Sequence, residues 1–439
     1  MAKCGEISKR VTADNLFLSQ ISAPFKKNGL LSQGYTHNIH FEMYRLIILI
    51  SLAATLFVSC NGNCSGDRTR EAVDPATDAW TTADRNVLFL AVGTYTSEAG
   101  SQGIYLYRFH TLTGKADSVS MTEVENPSYL TFSPDEKYLY AVGEKDEQSS
   151  VVHAFTFHKE NGLLREINVQ PAGGAGPCYI TTDAKGRNVH TANYGGGSIS
   201  SFQVNEDGGL SPVLSVIRFS GSGPDSLRQK QSHLHSVGYS PDGRFLFAAD
   251  LGRDKLCRFP VNETPFQGQP VIRESDLKEI ETPAATGPRH FVFHPDGGKY
   301  LYLLGELSGE VVVYDYHAGE LVQKQVIAAD TVGARGSADI HVSPDGRFLY
   351  ASNRLQADGI AIFAIDRQEG TLTRVGYQPT GRHPRNFVIT PNGRFLLVAS
   401  RDDNKIQVFS VDHRTGLLTD TGQDIHLSKP VCLKYALPD

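Results

Sequence analysis

The chain has 439 residues, of which 40% are hydrophobic and 21% are charged, and its formal net charge is −6. An acidic balance without a basic stripe argues against nucleic acid as a partner. The 42 glycines and 21 prolines, with few long apolar helical stripes, favour many short strands joined by turns.

The first 84 residues do not read as part of the fold. Residues 1–42 are polar and aperiodic, and we interpret them as a disordered extension from a start placed too far upstream. Residues 43–59 have the basic start, apolar run and small residues of a signal peptide, although a buried strand is the alternative. Cys60 follows as in a bacterial lipobox, so we expect a lipidated Cys60 and a flexible linker over 60–84.

These features predict the location of the protein. We expect an extracytoplasmic lipoprotein of the periplasm or cell envelope, held at the membrane only through its lipid. If the signal segment is not used, the protein is cytoplasmic.

One phrase recurs over residues 85–439, and we predict a single propeller domain there. It consists of a Pro-Asp-Gly type of turn followed by a strand rich in aromatic residues. Clear copies begin at Ser133, Ser240, His294, Ser343 and Thr390, and a looser copy begins at Thr182. The copies lie about 50 residues apart, a period typical of a β-propeller blade.

Each copy predicts four antiparallel strands, beginning with a hairpin around the Pro-Asp-Gly turn. Residues 86–95 match a second strand that lacks a first strand, and residues 429–435 match a first strand that lacks its hairpin. Joining these two halves would complete another blade and remove an open sheet edge. The sequence therefore predicts an all-β, seven-bladed propeller whose ring is closed by the C-terminal strand.

The aligned blades also predict which side chains meet. The start of a first strand and the end of a second strand lie at the same end of their hairpin, so we expect these positions to surround one mouth of the channel. The second-strand ends are Thr94, Glu144, Tyr194, Leu251, Glu306, Arg354 and Arg401. The first-strand starts are Ser128, Cys178, His235, Arg289, Ala338, Arg385 and Val431.

A histidine, a glutamate and several arginines at one mouth are costly unless they pair with each other or with a ligand. We therefore predict His235, Arg289 and Glu306 as catalytic residues. The predicted substrate-binding residues are Arg354, Arg385, His290, Asp250, Asn353 and Asn193. The alternative is a ring of salt bridges that only holds the blades in register.

Other chemistry lacks a signal in the sequence. It contains no His-Glu-x-x-His motif, no Gly-x-Ser-x-Gly elbow and no phosphate-binding loop before a helix. The carboxylates are not grouped as a calcium or zinc site requires, so we expect neither a metal nor a cofactor. The cysteines within the repeats are expected to be small buried residues.

The phrases around these positions resemble the seven-bladed β-propeller lactonase family, which includes enzymes of the 6-phosphogluconolactonase type and a carboxymuconate lactonizing enzyme. They are His233-Leu234-His235, Ala249-Asp250-Leu251-Gly252, Gly287-Pro288-Arg289-His290, Gly305-Glu306-Leu307, Ser352-Asn353-Arg354 and Pro384-Arg385-Asn386-Phe387. The resemblance implies hydrolysis of a sugar lactone at the channel mouth.

In that mechanism Glu306 or His235 would activate water and Arg289 would hold the oxyanion. Arg354 or Arg385 would hold a phosphate or carboxylate of the substrate. The expected partner is a small lactone or sugar acid, and the expected state is a monomer. A lipid-anchored propeller that binds a glycan or protein without catalysis, and a muconate-type cycloisomerase, are the alternatives.

Overall fold

The computed structural model describes residues 86–265 and 269–437. The predicted extension at 1–42, the predicted signal peptide, Cys60 and all of the predicted linker lie outside these residues. In the described part, no helix has the length and apolar character needed to cross a bilayer.

The described strands form seven antiparallel sheets, which are the blades of a propeller. The first blade contains β1 (Val87–Thr94), β2 (Gly103–His110), β3 (Ala116–Glu123) and the last strand of the chain, β29 (Pro430–Ala436). The second blade contains β4 (Leu130–Phe132), β5 (Tyr138–Gly143), β6 (Val151–His158) and β7 (Leu163–Pro171). The third contains β8 (Pro177–Thr182), β9 (Asn188–Asn193), β10 (Ser198–Gln203) and β11 (Ser215–Arg218).

The remaining blades follow the same order along the chain. The fourth contains β12 (Leu234–Tyr239), β13 (Phe245–Asp250), β14 (Lys255–Pro260) and β15 (Lys278–Glu281). The fifth contains β16 (Pro288–Phe293), β17 (Tyr300–Gly305), β18 (Glu310–His317) and β19 (Glu320–Ala328). The sixth contains β20 (Ile340–Val342), β21 (Phe348–Asn353), β22 (Gly359–Ile365) and β23 (Leu372–Pro379). The seventh contains β24 (Pro384–Ile389), β25 (Phe395–Ser400), β26 (Lys405–Val411), β27 (Leu418–Asp420) and β28 (Ile425–His426).

The predicted closure of the ring is confirmed. Strand β29 pairs with β1 in antiparallel register, with Leu433 opposite Val92. The first strands of neighbouring blades contact one another: β4, β8, β12, β16 and β20 in succession, and β24 with β29, which contacts β4. These strands form the inner ring. The outer strand of the seventh blade is divided into β27 and β28, which both pair with β26.

The recurring turn has a local explanation. In the sixth blade, the hydroxyl of Ser343 donates to Asp345 at 2.6 Å and accepts from the amide of Phe348 at 3.0 Å. Gly346 between them has φ +70°, a left-handed conformation that favours glycine. The turn therefore fixes the register of the hairpin that leads into each second strand.

The core lies between the blades. Each hydrophobic cluster joins neighbouring sheets, and the cluster with Leu90, Val388 and Leu433 packs the seventh blade against the first. Three buried tyrosines add the same link, because each donates its hydroxyl to a glycine carbonyl of the next blade. The pairs are Tyr140–Gly208, Tyr302–Gly370 and Tyr350–Gly416, at 2.9–3.1 Å.

Candidate active site

A β-bulge interrupts the inner strand of five blades at the same place. In β16, Pro288 opposes Gly305 and His290 opposes Leu304, which leaves Arg289 as the extra residue. The extra residues of the other four bulges are Cys178, His235, Arg385 and Val431. A bulge redirects the side chain of its extra residue. All five are predicted first-strand starts, so the alignment of the blades is confirmed at these positions.

Glu306 follows β17 and is the centre of a buried ion cluster. Its Oε1 accepts from Nη2 of Arg228 at 2.6 Å, and its Oε2 accepts from Nε of Arg289 at 2.9 Å. Nη2 of Arg354 lies 3.2 Å from the same Oε2. Burial alone would raise the pKa of Glu306, but the three guanidiniums outweigh burial and lower it to about 2. Glu306 is therefore a firmly ionised counter-ion.

Arg289 is almost fully buried, yet one of its nitrogens has no partner. Besides its bond to Glu306, it donates through Nη1 to the carbonyl of Ala338 at 2.6 Å and lies 3.3 Å from Nε2 of His290. Nη2 makes no hydrogen bond to any described residue, and it is not among the fully enclosed polar atoms without a partner. The contacts fix the plane of the guanidinium and leave Nη2 accessible.

His290 follows Arg289 in β16, and both of its ring nitrogens contact other protein groups. Its Nδ1 is 2.8 Å from the buried carboxylate of Asp339, which also accepts from Asn386 at 2.5 Å. Burial and the charge of Arg289 lower the pKa of His290 to about 3. The imidazole is therefore neutral, with Nδ1–H donating to Asp339 and Nε2 accepting from Arg289. His290 supports Arg289, while its predicted contact with substrate stays a prediction.

His235 lies beside the ion cluster without joining it. Its Nδ1 is 3.8 Å from Sγ of Cys178, and its ring lies edge-to-face against those of Tyr194 and His290. No described residue makes a hydrogen bond to its Nε2. Burial, followed by the charge of Arg289, lowers the pKa of His235 well below its usual value. The imidazole is therefore unprotonated at neutral pH.

Cys178, the extra residue of the bulge in β8, lies next to the imidazole of His235. Burial raises the pKa of its thiol far above the usual value, so the thiol is neutral. Cys178, Cys257 and Cys432 are all free and buried, as expected.

The two arginines predicted to bind substrate differ in their contacts. Arg354 donates through Nε to the carbonyl of Gly336 at 2.7 Å and lies 3.3 Å from Nε2 of His383 through Nη1. With Nη2 near Glu306, all three of its nitrogens are engaged. Burial and neighbouring arginines lower the pKa of Arg354 to about 9, which still leaves it charged at neutral pH.

Arg385 makes a cation–π contact but no hydrogen bond or ion pair within the described part of the chain. Its guanidinium lies 5.4 Å from the ring centre of Tyr95, whose hydroxyl donates to Glu144 at 3.0 Å. Among the described residues, no acceptor lies within hydrogen-bonding distance of Arg385, and its side chain is partly exposed. Of the predicted substrate-binding arginines, it is the one whose donors are available.

The three remaining predicted residues are bound within or beside their own blades. Asp250 accepts from Ser232 and from Nε of Arg253, at 2.7 and 2.5 Å. Asn353 accepts from Ser337 at 2.6 Å, and Asn193 donates to two serines of β10. None of the three joins the ion cluster. Their bonds run to nearby strand and loop residues, and these bonds give no support to a contact with substrate.

Arg228 was not predicted by the sequence analysis. It lies in the connector between β11 and β12, outside the repeated phrases, so the alignment of blades could not mark it. We call the set formed by Glu306, His235 and four arginines the inner-end cluster; the arginines are Arg228, Arg289, Arg354 and Arg385. The cluster contains four guanidiniums and one carboxylate, and Glu144, which binds Tyr95 beside Arg385, adds a second carboxylate next to it, although the whole chain is acidic. An anionic ligand would balance this charge.

One cavity lies apart from the inner-end cluster. It has a volume of about 450 Å³ and is lined by the hairpin at 195–197 and by connector residues that include Phe219, Lys230 and Ser232. The described residues contain no group of three or more histidine, cysteine, aspartate or glutamate side chains placed to hold a metal ion.

Comparison with known proteins identifies similar chains. Residues 89–435 match the family described as lactonase, 7-bladed beta-propeller. A 6-phosphogluconolactonase of Formosa agariphila is 39% identical over 76% of this chain and 95% of its own length. One of Bacillus subtilis is 36% identical over 78% of this chain and 97% of its own length.

A solved structure adds to these likenesses. The periplasmic gluconolactonase of Pseudomonas aeruginosa has a TM-score of 0.74 and 33% identity. The match covers 80% of this chain and all of the Pseudomonas chain.

Proposed function

Because the chain belongs to the seven-bladed β-propeller lactonase family, we propose that it hydrolyses a sugar lactone at the inner-end cluster. The observation that carries the proposal is a set of groups within one cluster that make no hydrogen bond to any described residue. They are Nε2 of His235, Nη2 of Arg289 and the guanidinium of Arg385. Hydrolysis of a lactone requires a base and an oxyanion donor, and a charged substrate also needs an anchor for its anion.

His235 is the better of the two predicted bases. The oxygens of Glu306 are shared among three guanidiniums, and a pKa of about 2 makes this carboxylate too weak to accept a proton from water. The imidazole of His235 is unprotonated and has a free Nε2. An anionic substrate would offset the charges of Arg289 and Arg385, which raises the basicity of His235 when substrate is bound.

Arg289 would stabilise the oxyanion. Its Nε and Nη1 are fixed by Glu306 and Ala338, so Nη2 needs little reorganisation to meet a developing charge. Water adds to the lactone carbonyl as His235 takes its proton, and the tetrahedral oxyanion is held at Nη2. The ring C–O bond then breaks and the proton passes to the departing alkoxide, which gives a hydroxy acid.

Arg385 would hold an anionic group of the substrate. Its available donors can form bidentate hydrogen bonds to a phosphate or a carboxylate. The steps use protein groups and water, so the mechanism requires no cofactor.

The expected export of the chain bears on the substrate. A phosphorylated gluconolactone is a cytoplasmic metabolite, whereas residues 43–60 predict a lipoprotein outside the cytoplasm. A relative that is named a periplasmic gluconolactonase supports an aldonolactone of the cell envelope as the substrate.

Proton release from gluconolactone and 6-phosphogluconolactone, corrected for hydrolysis in buffer, tests this proposal. We expect enzyme-dependent turnover of at least one lactone and a loss of 100-fold or more, on the order of a general-base contribution, in His235→Gln. The exposed His317 provides the matched control, since His317→Gln removes an imidazole that lies outside the site. Rates equal to those of buffer for both lactones, or full activity in His235→Gln, would refute the proposal.

A further inference from the structure

Arg228 reaches the inner-end cluster from outside the repeat. It lies in the connector between β11 and β12, whereas Glu306 belongs to the fifth blade. One guanidinium nitrogen, Nη2, binds Glu306 at 2.6 Å and lies 3.5 Å from the hydroxyl of Tyr194. The connector thus extends across the fourth blade to the site.

A rigid turn presents this side chain. The carboxylate of Asp225 accepts from the amides of Leu227 and Arg228 at 2.8 and 3.0 Å. Gln229 then ties the turn to the fourth blade by donating to the carbonyl of Leu251 at 2.8 Å and to Asp254 at 2.7 Å. The position of Arg228 is therefore built before any ligand arrives.

A second tie holds the tip of the turn. Asp225 forms an ion pair with Arg335, which belongs to the loop between β19 and β20. The connector is thus fastened to the fourth blade and to the loop between the fifth and sixth blades.

Arg228 differs from the other two guanidiniums that bind Glu306. Its side chain is 38% exposed, whereas those of Arg289 and Arg354 are 2% and 6% exposed. Its Nε and Nη1 make no hydrogen bond to any described residue. Arg289 and Arg354 already neutralise the carboxylate, so Arg228 exceeds what Glu306 needs.

We propose that Arg228 is a specificity-determining residue that selects lactones carrying an anionic group, a phosphate or a carboxylate. This inference rests on the proposed hydrolysis and adds a residue outside the repeated positions. Arg228 stands beside Tyr194 of the third blade, and Arg385 stands beside Tyr95 of the first. Two guanidiniums with free donors would then reach the anion of a substrate from different sides.

Steady-state kinetics on three lactones tests the inference: gluconolactone is neutral, 6-phosphogluconolactone carries a phosphate and glucarolactone carries a carboxylate. In Arg228→Ala we expect KM to rise about 10- to 100-fold for a charged lactone, the size expected for a lost charge-assisted hydrogen bond. Any loss on gluconolactone should be smaller, so that the ratio of kcat/KM for the charged lactone to that for gluconolactone falls about tenfold or more. The charged lactone whose KM rises more identifies the anion that Arg228 binds.

Lys230→Ala is the matched control, because Lys230 lies on the same connector but lines the separate cavity. This variant should leave the preference for charged lactones unchanged. Arg228→Lys keeps the charge and should retain part of the preference. Equal losses on all three lactones, or an unchanged preference in Arg228→Ala, would overturn the inference.

A wild-type protein that hydrolyses none of the lactones would refute the proposed function separately. Calorimetric binding of glucose 6-phosphate and glucose, which contain no lactone, would then still test the role of Arg228. We expect tighter binding of the phosphorylated sugar, and a ratio of dissociation constants that falls about tenfold or more in Arg228→Ala. Equal binding of the two sugars by the wild type would reject the role.

Discussion

Arg289 and Glu306 lie at the same end of one hairpin, and Nε of Arg289 is 2.9 Å from Oε2 of Glu306. Arg289 is the extra residue of a bulge in β16, and Glu306 directly follows β17. The bulge therefore brings the two charges together within a single blade. Arg228 and Arg354 then join this pair from other parts of the ring, which makes the ion cluster a link between blades.

Removal of the central carboxylate should destabilise the protein. Glu306→Gln leaves Arg228, Arg289 and Arg354 without their shared counter-charge, and the loss of a buried partner costs about 3–5 kcal/mol. We expect the free energy of unfolding in urea to fall by this amount. Glu320, which pairs with Arg258 and Lys278 at an exposed site, is the control, and Glu320→Gln should cause no measurable change. Equal stability of the two variants would contradict the structural role of Glu306.

The pH profile of activity should identify His235 as the base. Burial and the nearby cations lower the pKa of His235, so its unprotonated form persists below pH 6.5 and activity should persist with it. Arg385→Ala removes one of these cations, which should raise that pKa and move the acid limb of kcat/KM to higher pH. The measurement is made on gluconolactone, because a neutral substrate needs no anion anchor.

Arg401→Ala is the control for this profile. Arg401 forms an ion pair with Asp402 and is not among the charges that lower the pKa of His235. Its removal should leave the acid limb in place. An acid limb at the same pH in wild type and Arg385→Ala would argue against His235 as the titrating group.

The hydrogen bonds between blades should contribute to stability one at a time. Tyr350 donates to the carbonyl of Gly416 in the next blade at 2.9 Å, and Tyr350→Phe should lower the free energy of unfolding by about 1 kcal/mol. Tyr314 is also buried, but its hydroxyl has no partner among the described residues. Tyr314→Phe should therefore be neutral or stabilising. A larger loss in Tyr314→Phe than in Tyr350→Phe would contradict this account.

The predicted lipid anchor can be tested on protein purified from membranes. We expect a mature chain that begins at Cys60 and carries the added mass of a diacylglycerol, as shown by mass spectrometry. Cys60→Ser should release the protein into the soluble fraction. The finding of an intact chain that still begins upstream of residue 43 would refute both the export and the anchor.

The repeat made most of the fold predictable, because each blade restates the turn that fixes its register. The same alignment identified Arg289, His235 and Arg385 as equivalent positions, although the bulge that redirects them leaves no mark of its own in the sequence. The partners of a polar side chain were not predictable. Asn193, Asp250 and Asn353 each precede a second-strand end by one residue, but their hydrogen bonds run within or beside their own blades.

Arg228 shows a second limit. A connector has no copy in the other blades against which to compare it, so its charge could not be distinguished from that of any exposed arginine. The roles of Glu306 and Arg354 could also be distinguished only from the distances to their neighbours. Residue types suggested a base and an anion anchor, whereas the contacts show an ionised carboxylate and an arginine whose nitrogens are all engaged.

The pairing of β29 with β1 sets an order on the biogenesis of the molecule. Strand β29, the partner of β1, is among the last residues to be synthesised. One edge of β1 therefore stays unpaired while the six intervening blades are made. The ring cannot be completed until residue 436 has left the ribosome. For the export that residues 43–60 predict, this delay would be an advantage, because an incomplete ring is easier to unfold than a closed one.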